Sequence, residues 1–171
     1  MIKLVSIIIP VFNEVDAIEK LVENTQNLRN LGLNFEYEII IVDDGSTDGT
    51  GAILKEIQHT NQNLHVVSLA RNYGQSTALQ AGFDHCAGDV LITMDGDLQN
   101  DPADIPKIID ILKDNNEIDL VAGWRKDRQD STLNRKLPSM FANYLISYTT
   151  GIKLRDYGCS LKGYRRELVS K

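Results

Sequence analysis

Five short apolar runs without polar alternation recur along the chain, and they constrain its fold more than any other feature. They are residues 5–9, 37–42, 64–69, 90–94 and 118–122. A strand that is apolar at every position is buried on both faces, which is typical of a parallel sheet covered by helices. Segments with apolar residues at helical spacing separate the runs, as between residues 102 and 112. The pattern therefore predicts an α/β fold with a Rossmann-like, mostly parallel sheet.

We expect one domain over residues 1–171, because this length supports a sizeable core and no Gly/Ser/Pro-rich linker interrupts the pattern. The later part of the chain is less regular. Residues 125–137 are polar and basic and are predicted to form a loop. Residues 141–148 favour a helix. The pattern of residues 157–164 is compatible with a strand but does not decide it.

The composition argues against several classes of function. With a net charge of −6, we expect no sequence-independent binding of nucleic acid, because such binding needs a basic surface. Cys86 and Cys159 do not make a disulfide framework or a C-x-x-C pair. The chain has no signal peptide at its start and no run of about 18 apolar residues that would span a membrane. We therefore expect a cytoplasmic location.

Polar clusters follow three of the predicted strands directly. They are Asn13-Glu14 after the first strand, Asp43-Asp44 after the second and Asp95-Gly96-Asp97 after the fourth. In open α/β sheets, ligands bind outside the carboxyl ends of the strands, so these side chains should meet at one edge. The sequence predicts a ligand site there.

Asp95 and Asp97 form a D-x-D pair after a buried strand, a spacing that lets both carboxylates approach one hard cation. Mg²⁺ or Mn²⁺ fits, because both prefer oxygen ligands and retain positions for substrate phosphates. An EF-hand is excluded, since Asn100 and Pro106 occupy the positions that require Gly and Glu. A phosphatase of the haloacid-dehalogenase type fits poorly, because Leu98 replaces the expected Thr.

Two further clusters each allow two interpretations. Ser46 or Thr47 after the Asp43-Asp44 pair could simply cap the next helix, or the two carboxylates could bind the base or ribose hydroxyls of a nucleotide. Similarly, the basic segment that begins at residue 125 is either a solvated loop or a clamp for a phosphorylated acceptor. Neither a G-x-G-x-x-G dinucleotide motif nor a P-loop is present.

Four of these segments, in order, resemble the glycosyltransferase family 2 pattern. They are residues 10–14, 43–46, 71–74 and 95–99. More narrowly, the chain is similar to the polyprenyl-phosphate glycosyltransferases, which include dolichol-phosphate mannosyltransferase and the undecaprenyl-phosphate glycosyltransferases. The resemblance covers nearly the whole chain. It implies a GT-A fold, which family members often continue with a membrane-associated C-terminal region, and we expect this chain to stop before that region.

The resemblance also implies roles for individual residues. Those expected to bind the nucleotide are Pro10, Asn13, Glu14, Asp43, Asp44, Arg71, Asn72, Gly74 and Asp95. Those expected to bind the divalent metal are Asp95, Asp97 and Gln99. Those expected to meet the acceptor phosphate are Arg125, Arg128 and Arg135. The residues expected nearest the chemistry are Asp97, Arg125 and Asp156.

The implied reaction transfers a sugar from a UDP- or GDP-sugar to a polyprenyl phosphate, with inversion, at the cytoplasmic face of the membrane. An acceptor phosphate is already anionic near neutral pH and needs little help from a base. A hydroxyl acceptor would need one, for which Asp156 or Asp97 is a candidate. A family 2 transferase acting on a hydroxyl, a hydrolase or nucleotidyltransferase, and a non-catalytic nucleotide-binding module remain as alternatives.

Overall fold

Six β-strands form one mixed sheet in the computed structural model, which describes residues 2–124 and 158–169. The strands are β1 (Leu4–Val11), β2 (Glu36–Asp43), β3 (Leu64–Ser68), β4 (Val90–Thr93), β5 (Leu120–Ala122) and β6 (Lys162–Arg165). Their order across the sheet is β3-β2-β1-β4-β6-β5. The β1–β2, β1–β4 and β2–β3 pairs are parallel, whereas β6 is antiparallel to β4 and β5. The predicted α/β fold with a mostly parallel sheet is confirmed.

Helices cover both faces of this sheet. They are α1 (Ile18–Gln26), α2 (Thr50–Thr60), α3 (Gln75–His85), α4 (Ile105–Asp114) and α5 (Arg166–Val169), with 3-10 turns at Asn27–Leu31 and Pro102–Asp104. None of the helices described is both long and apolar enough to cross a bilayer.

Alternate residues of β1 enter two different cores, which explains why the strand is apolar throughout. Ile7 and Ile9 pack with residues of α1 and α4, whereas Ile8 packs with Ala78 of α3 on the opposite face. The α3 contact is close, because a Cβ added at Gly82 would lie 2.3 Å from Cγ2 of Ile8. Burial of both faces thus fixes β1 at the centre of the sheet, where its carboxyl end meets those of β2 and β4.

The structure adds two details that the sequence left open. Residues 162–165, which overlap the undecided segment 157–164, form a sixth strand, inserted antiparallel between β4 and β5. The N-cap position of α1 is Ala17, without a side-chain cap, although Asn13 just before it is a residue type that favours helix starts. The predicted loop at residues 125–137 and the predicted helix at residues 141–148 lie outside the described residues.

Candidate functional site

A cleft of about 320 Å³ opens at the carboxyl edge of the sheet, between the ends of β1 and β4. Seven of the residues predicted to form the site line it. They are Pro10, Glu14, Asp44, Asn72, Gly74, Asp95 and Asp97. The three polar clusters predicted to meet at one edge of the sheet therefore contribute to a single cleft, which we call the donor cleft.

Asn13 joins the loop after β1 to the loop after β2 and does not line the donor cleft. Its backbone N–H donates to Oγ of Ser46, and its Oδ1 accepts from the N–H of Thr47, both at 2.9 Å. The backbone φ of Asn13 is 55°, a left-handed value that asparagine tolerates better than most residues. The capping interpretation of Ser46 and Thr47 is wrong, because the N-cap of α2 is Gly49 and the first N–H of the helix, that of Thr50, donates to Oδ1 of Asp48 at 3.0 Å.

Asp44 fixes the position of the next loop, residues 71–74. Its side chain is only 4% exposed, and its two oxygens accept from the N–H groups of Tyr73 and Gly74, each at 2.8 Å. Gly45, whose φ is 72°, lets the two loops lie this close together. A Cβ added to Gly45 would lie 2.3 Å from the carbonyl carbon of Arg71. Asp44 thus brings Asn72 and Gly74 to the donor cleft.

Three other predicted site residues do not line the donor cleft. Asp43 is buried and accepts from the N–H of Ser46 at 2.9 Å. Arg71 is exposed, with its guanidinium carbon 5.0 Å from the centre of the Tyr73 ring. Gln99 lines a neighbouring cavity beside α1. The predicted roles of these three residues in nucleotide or metal binding therefore stay predictions.

Asp95 and Asp97 line the cleft from the loop that follows β4. Oδ1 of Asp95 accepts from Nε2 of Gln75 at 2.7 Å, and its backbone N–H donates to Oγ of Ser160 at 3.2 Å. Oδ1 of Asp97 accepts from the N–H of Gln99 at 3.1 Å within its own loop. The D-x-D loop is therefore held by residues from α3 and from the segment before β6.

The sequence analysis did not assign a role to Gln75 or Ser160. Gln75 follows directly on residues 71–74, which carry part of the family resemblance, and is the first residue of α3, a position that places it at the same sheet edge. No local sequence pattern indicates the role of Ser160, because its partners are distant in the sequence. Its carbonyl accepts from the hydroxyl of Thr93 at 2.8 Å, and its hydroxyl accepts from Nδ2 of Asn100 at 2.8 Å.

Negative charge accumulates near Glu14. Burial raises the pKa of its carboxyl, and the charges of Asp97 and Asp48 raise it further. The hydrogen bond from the Thr50 hydroxyl instead lowers the pKa of Asp48. Acids that repel one another across an open cleft favour a bound cation, because it offsets that repulsion.

The carboxylates of the D-x-D loop suit a cation that binds together with a phosphorylated ligand. Across residues 2–124 and 158–169, no group of three or more His, Cys, Asp or Glu side chains could hold a metal ion. Mg²⁺ commonly uses only one or two carboxylates and takes further ligands from substrate phosphates and water. Asp95 and Asp97 fit that arrangement.

Four predicted site residues cannot be placed in this geometry. Arg125, Arg128, Arg135 and Asp156, which carry the acceptor and base predictions, lie outside the described residues.

Comparison with known proteins gives matches over almost the entire chain. The model of the family described as Glycosyl transferase family 2 matches residues 6–171. The dodecaprenyl-phosphate galacturonate synthase of Rhizobium johnstonii (strain DSM 114642 / LMG 32736 / 3841) is 46% identical over 167 residues, which are 97% of this chain and 49% of that relative. The chain thus spans about half the length of the curated relative that it matches.

Solved structures share the same fold. The mannosyltransferase PcManGT from Pyrobaculum calidifontis, in complex with GDP-Man and Mn²⁺, has a TM-score of 0.71 at 21% identity, covering 97% of this chain and 45% of that one. Glucosyl-3-phosphoglycerate synthase from Mycobacterium tuberculosis, with Mn²⁺, UDP-Glc and phosphoglyceric acid, has a TM-score of 0.72 at 20% identity, covering 98% and 58%. At these identities the likeness shows the fold alone, and it confirms the GT-A prediction. The chain belongs to glycosyl transferase family 2.

Proposed function

We propose that this protein transfers a sugar from a nucleoside-diphosphate sugar to a polyprenyl phosphate, with inversion and with help from a divalent cation. The observation that carries the proposal is the donor cleft, in which the loop fixed by Asp44 faces Asp95 and Asp97. The 46% identical relative, named as a dodecaprenyl-phosphate galacturonate synthase, supports the acceptor class.

The nucleoside occupies the part of the cleft nearest β1 and β2. Pro10, Asp44, Asn72 and Gly74 line that part. Asp44 already accepts two backbone N–H bonds, so it contributes chiefly by holding the shape of the loop. Its remaining lone pairs are available to ribose hydroxyls. Solved family members with GDP-Man or UDP-Glc support a nucleotide-sugar donor without deciding between the two bases.

The diphosphate lies at the other end of the cleft, beside Asp95 and Asp97. A divalent cation held there by these two carboxylates would neutralise charge on the departing nucleoside diphosphate. Gln75 orients Asp95 through its 2.7 Å hydrogen bond. The pKa of Glu14 is raised first by burial and then by the charges of Asp97 and Asp48, and a cation beside Asp97 would offset that charge. Mn²⁺ in the neighbouring complexes supports a divalent metal, and Mg²⁺ fits the same ligands.

The acceptor phosphate attacks the anomeric carbon from the side opposite the leaving diphosphate. Its oxygen is anionic near neutral pH, so no general base is needed. Arg125, Arg128 and Arg135 are proposed to hold this phosphate. The reaction takes place at the cytoplasmic face of the membrane, where a polyprenyl phosphate is accessible to the donor cleft.

Direct detection of the product tests the proposal. The purified protein is incubated with UDP- and GDP-sugars, a short polyprenyl phosphate and Mn²⁺ or Mg²⁺. We expect a polyprenyl-phosphate sugar by mass spectrometry, with the inverted anomer by NMR and no product in excess EDTA. Sugar transfer to a hydroxyl acceptor alone would contradict the acceptor assignment. Nucleotide binding without any transfer would favour a non-catalytic module.

A further inference from the structure

Leu98, the residue that follows the D-x-D pair, has a backbone conformation that leucine rarely adopts. Its φ is 62°, and across residues 2–124 and 158–169 Asn13 is the one other non-glycine residue with a positive φ. Asparagine tolerates this region because its short polar side chain can bond locally, whereas the Cβ of a leucine crowds the backbone there. A strained residue persists only where the surrounding structure holds it, and such residues cluster at ligand sites. Leu98 therefore needs a compensating contact.

The side chain of Leu98 supplies that contact. It is half-buried and packs against the larger of the two hydrophobic cores, and it lines the cavity beside α1 together with Leu28. The preceding part of the loop also lies close to the core, because a Cβ added at Gly96 would lie 2.8 Å from Cγ1 of Val11. Burial of an apolar side chain offsets the backbone strain. The D-x-D loop is thus fixed to the core on both sides of Asp97.

Asp95 and Asp97 differ in what holds them at the donor cleft. The carboxylate and the backbone N–H of Asp95 are bonded to α3 and to the segment before β6. The exposed carboxylate of Asp97 instead accepts from the N–H of Gln99, which closes a short turn with Leu98 as its middle residue. Among the residues that the structure describes, the position of Asp97 therefore depends on the conformation of Leu98.

We propose that Leu98 is a positioning residue for the divalent cation, because its packed side chain keeps the D-x-D loop in the left-handed turn that leaves Asp97 at the donor cleft with Asp95. This inference rests on the proposed function, in which these two carboxylates hold the cation. Leu98 itself does not line the donor cleft. A loop released at Leu98 would have to be ordered when the cation binds, and the cost of that ordering lowers the affinity.

The coupling between Mn²⁺ and nucleotide binding tests the inference. The dissociation constants of UDP and of GDP are measured by calorimetry in EDTA and in Mn²⁺, and the ratio of the two constants for one nucleotide reports the contribution of the cation. A loss of cleft shape that acts on the nucleotide alone cancels from this ratio. For the nucleotide that wild type binds, we expect a ratio of about tenfold or more, within the usual range of coupling between two ligands.

Three substitutions at Leu98 separate its side chain from its backbone. Leu98→Ala removes the packed side chain, and Leu98→Ile keeps the apolar volume but is β-branched, a residue type that is an outlier at positive φ. Each should reduce the Mn²⁺ ratio about fivefold relative to wild type. Leu98→Met keeps an unbranched apolar side chain of similar volume and should stay within about twofold of wild type.

Leu33→Ala is the matched control. Leu33 is also a half-buried leucine packed against the larger core, but it lies at the amino edge of the sheet and its φ is not positive. Leu33→Ala should keep the wild-type Mn²⁺ ratio even where urea denaturation shows a loss of stability. A ratio reduced as much in Leu33→Ala as in Leu98→Ala would overturn the inference.

The inference and the proposed function fail in distinguishable ways. A wild-type ratio in Leu98→Ala or in Leu98→Ile overturns the positioning role of Leu98 and leaves the proposed function standing. If wild type binds neither nucleotide, or binds it equally with and without Mn²⁺, the proposed function loses its donor or its cation as well. Should Leu98→Ala not fold, Leu98→Ile and Leu98→Met still decide.

Discussion

The acids after β2 and the acids after β4 lie at the same edge of the sheet, yet their surroundings differ. Asp43 and Asp44 are 5% and 4% exposed and accept hydrogen bonds from backbone N–H groups of neighbouring loops. Asp95 is half-buried and Asp97 is exposed. Within the described residues, the Asp97 carboxylate accepts a hydrogen bond from the N–H of Gln99 in its own loop.

This difference separates two uses of the same side chain. A buried carboxylate must have its hydrogen bonds satisfied, so Asp44 is committed to holding residues 71–74. An exposed carboxylate can leave lone pairs to water at little cost, so Asp97 is available to an arriving cation. We infer that the β2 acids shape the donor cleft and the β4 acids carry its chemistry.

The largest effect is expected at Asp97. Asp97→Ala should lower kcat roughly 10²–10³-fold, because it removes charge stabilisation that acts on the leaving diphosphate. Its free energy of unfolding should stay within about 0.5 kcal/mol of wild type, as for most exposed positions. Steady-state kinetics and urea denaturation measure the two quantities. Asp110→Ala, an exposed aspartate on α4, is the matched control and should change neither. Wild-type turnover in Asp97→Ala would remove the metal role.

A smaller effect, and one of a different kind, is expected at Asp44. Asp44→Ala leaves the N–H of Tyr73 without its acceptor and the N–H of Gly74 with Oδ1 of Asn72 alone, which should lower the free energy of unfolding by about 1–3 kcal/mol. Donor affinity should fall as well, because the loop loses its position. Asp44→Asn retains one acceptor oxygen and should lose less. Unchanged stability together with unchanged nucleotide affinity in Asp44→Ala would contradict both roles.

The smallest effect is expected at Glu14 and depends on pH. Between the ordinary pKa of 4.5 and the raised pKa in the fold, the folded chain holds a proton that the unfolded chain has lost. The free energy of unfolding therefore falls as pH rises through that window. Glu14→Gln should be more stable than wild type above the window, by less than about 1 kcal/mol, and no more stable below about pH 4.

Thermal melts over a pH series in metal-free buffer measure this difference. Repeating them in an Asp97→Asn background tests its cause, since the gain from Glu14→Gln should shrink when the charge of Asp97 is absent. A gain of the same size in both backgrounds would show that the charge of Asp97 does not disfavour the Glu14 charge, which leaves burial and Asp48 as its causes.

The position of the acids could be predicted from the sequence, whereas the different roles of the two pairs could not. Parallel strands bring their carboxyl ends to one edge, so buried runs followed by acidic residues were sufficient to predict the cleft. The partners of those acids are remote in sequence. Asp44 binds amides 29 and 30 residues away, and the N–H of Asp95 reaches Ser160 across 65 residues. No local pattern encodes such contacts.

The sixth strand was difficult to predict for a related reason. Residues 162–165 include Gly163 and three polar or amphipathic side chains, without the continuous apolar character of β1 or β2. Gly163 is required by packing rather than propensity, because a Cβ there would lie 2.4 Å from Cγ2 of Ile108. Its role is evident only once α4 covers that face of the sheet.

The insertion of β6 beside β4 has a consequence for how the protein is made. Synthesis proceeds from the N-terminus, at about 5–20 residues per second, so β1 to β4 and the D-x-D loop leave the ribosome well before residues 158–165. Until then β4 has one neighbour in the sheet instead of two, and the N–H of Asp95 lacks the Ser160 hydroxyl. The D-x-D loop therefore gains its Ser160 contact only after residues 158–165 have been synthesised and β6 has docked beside β4.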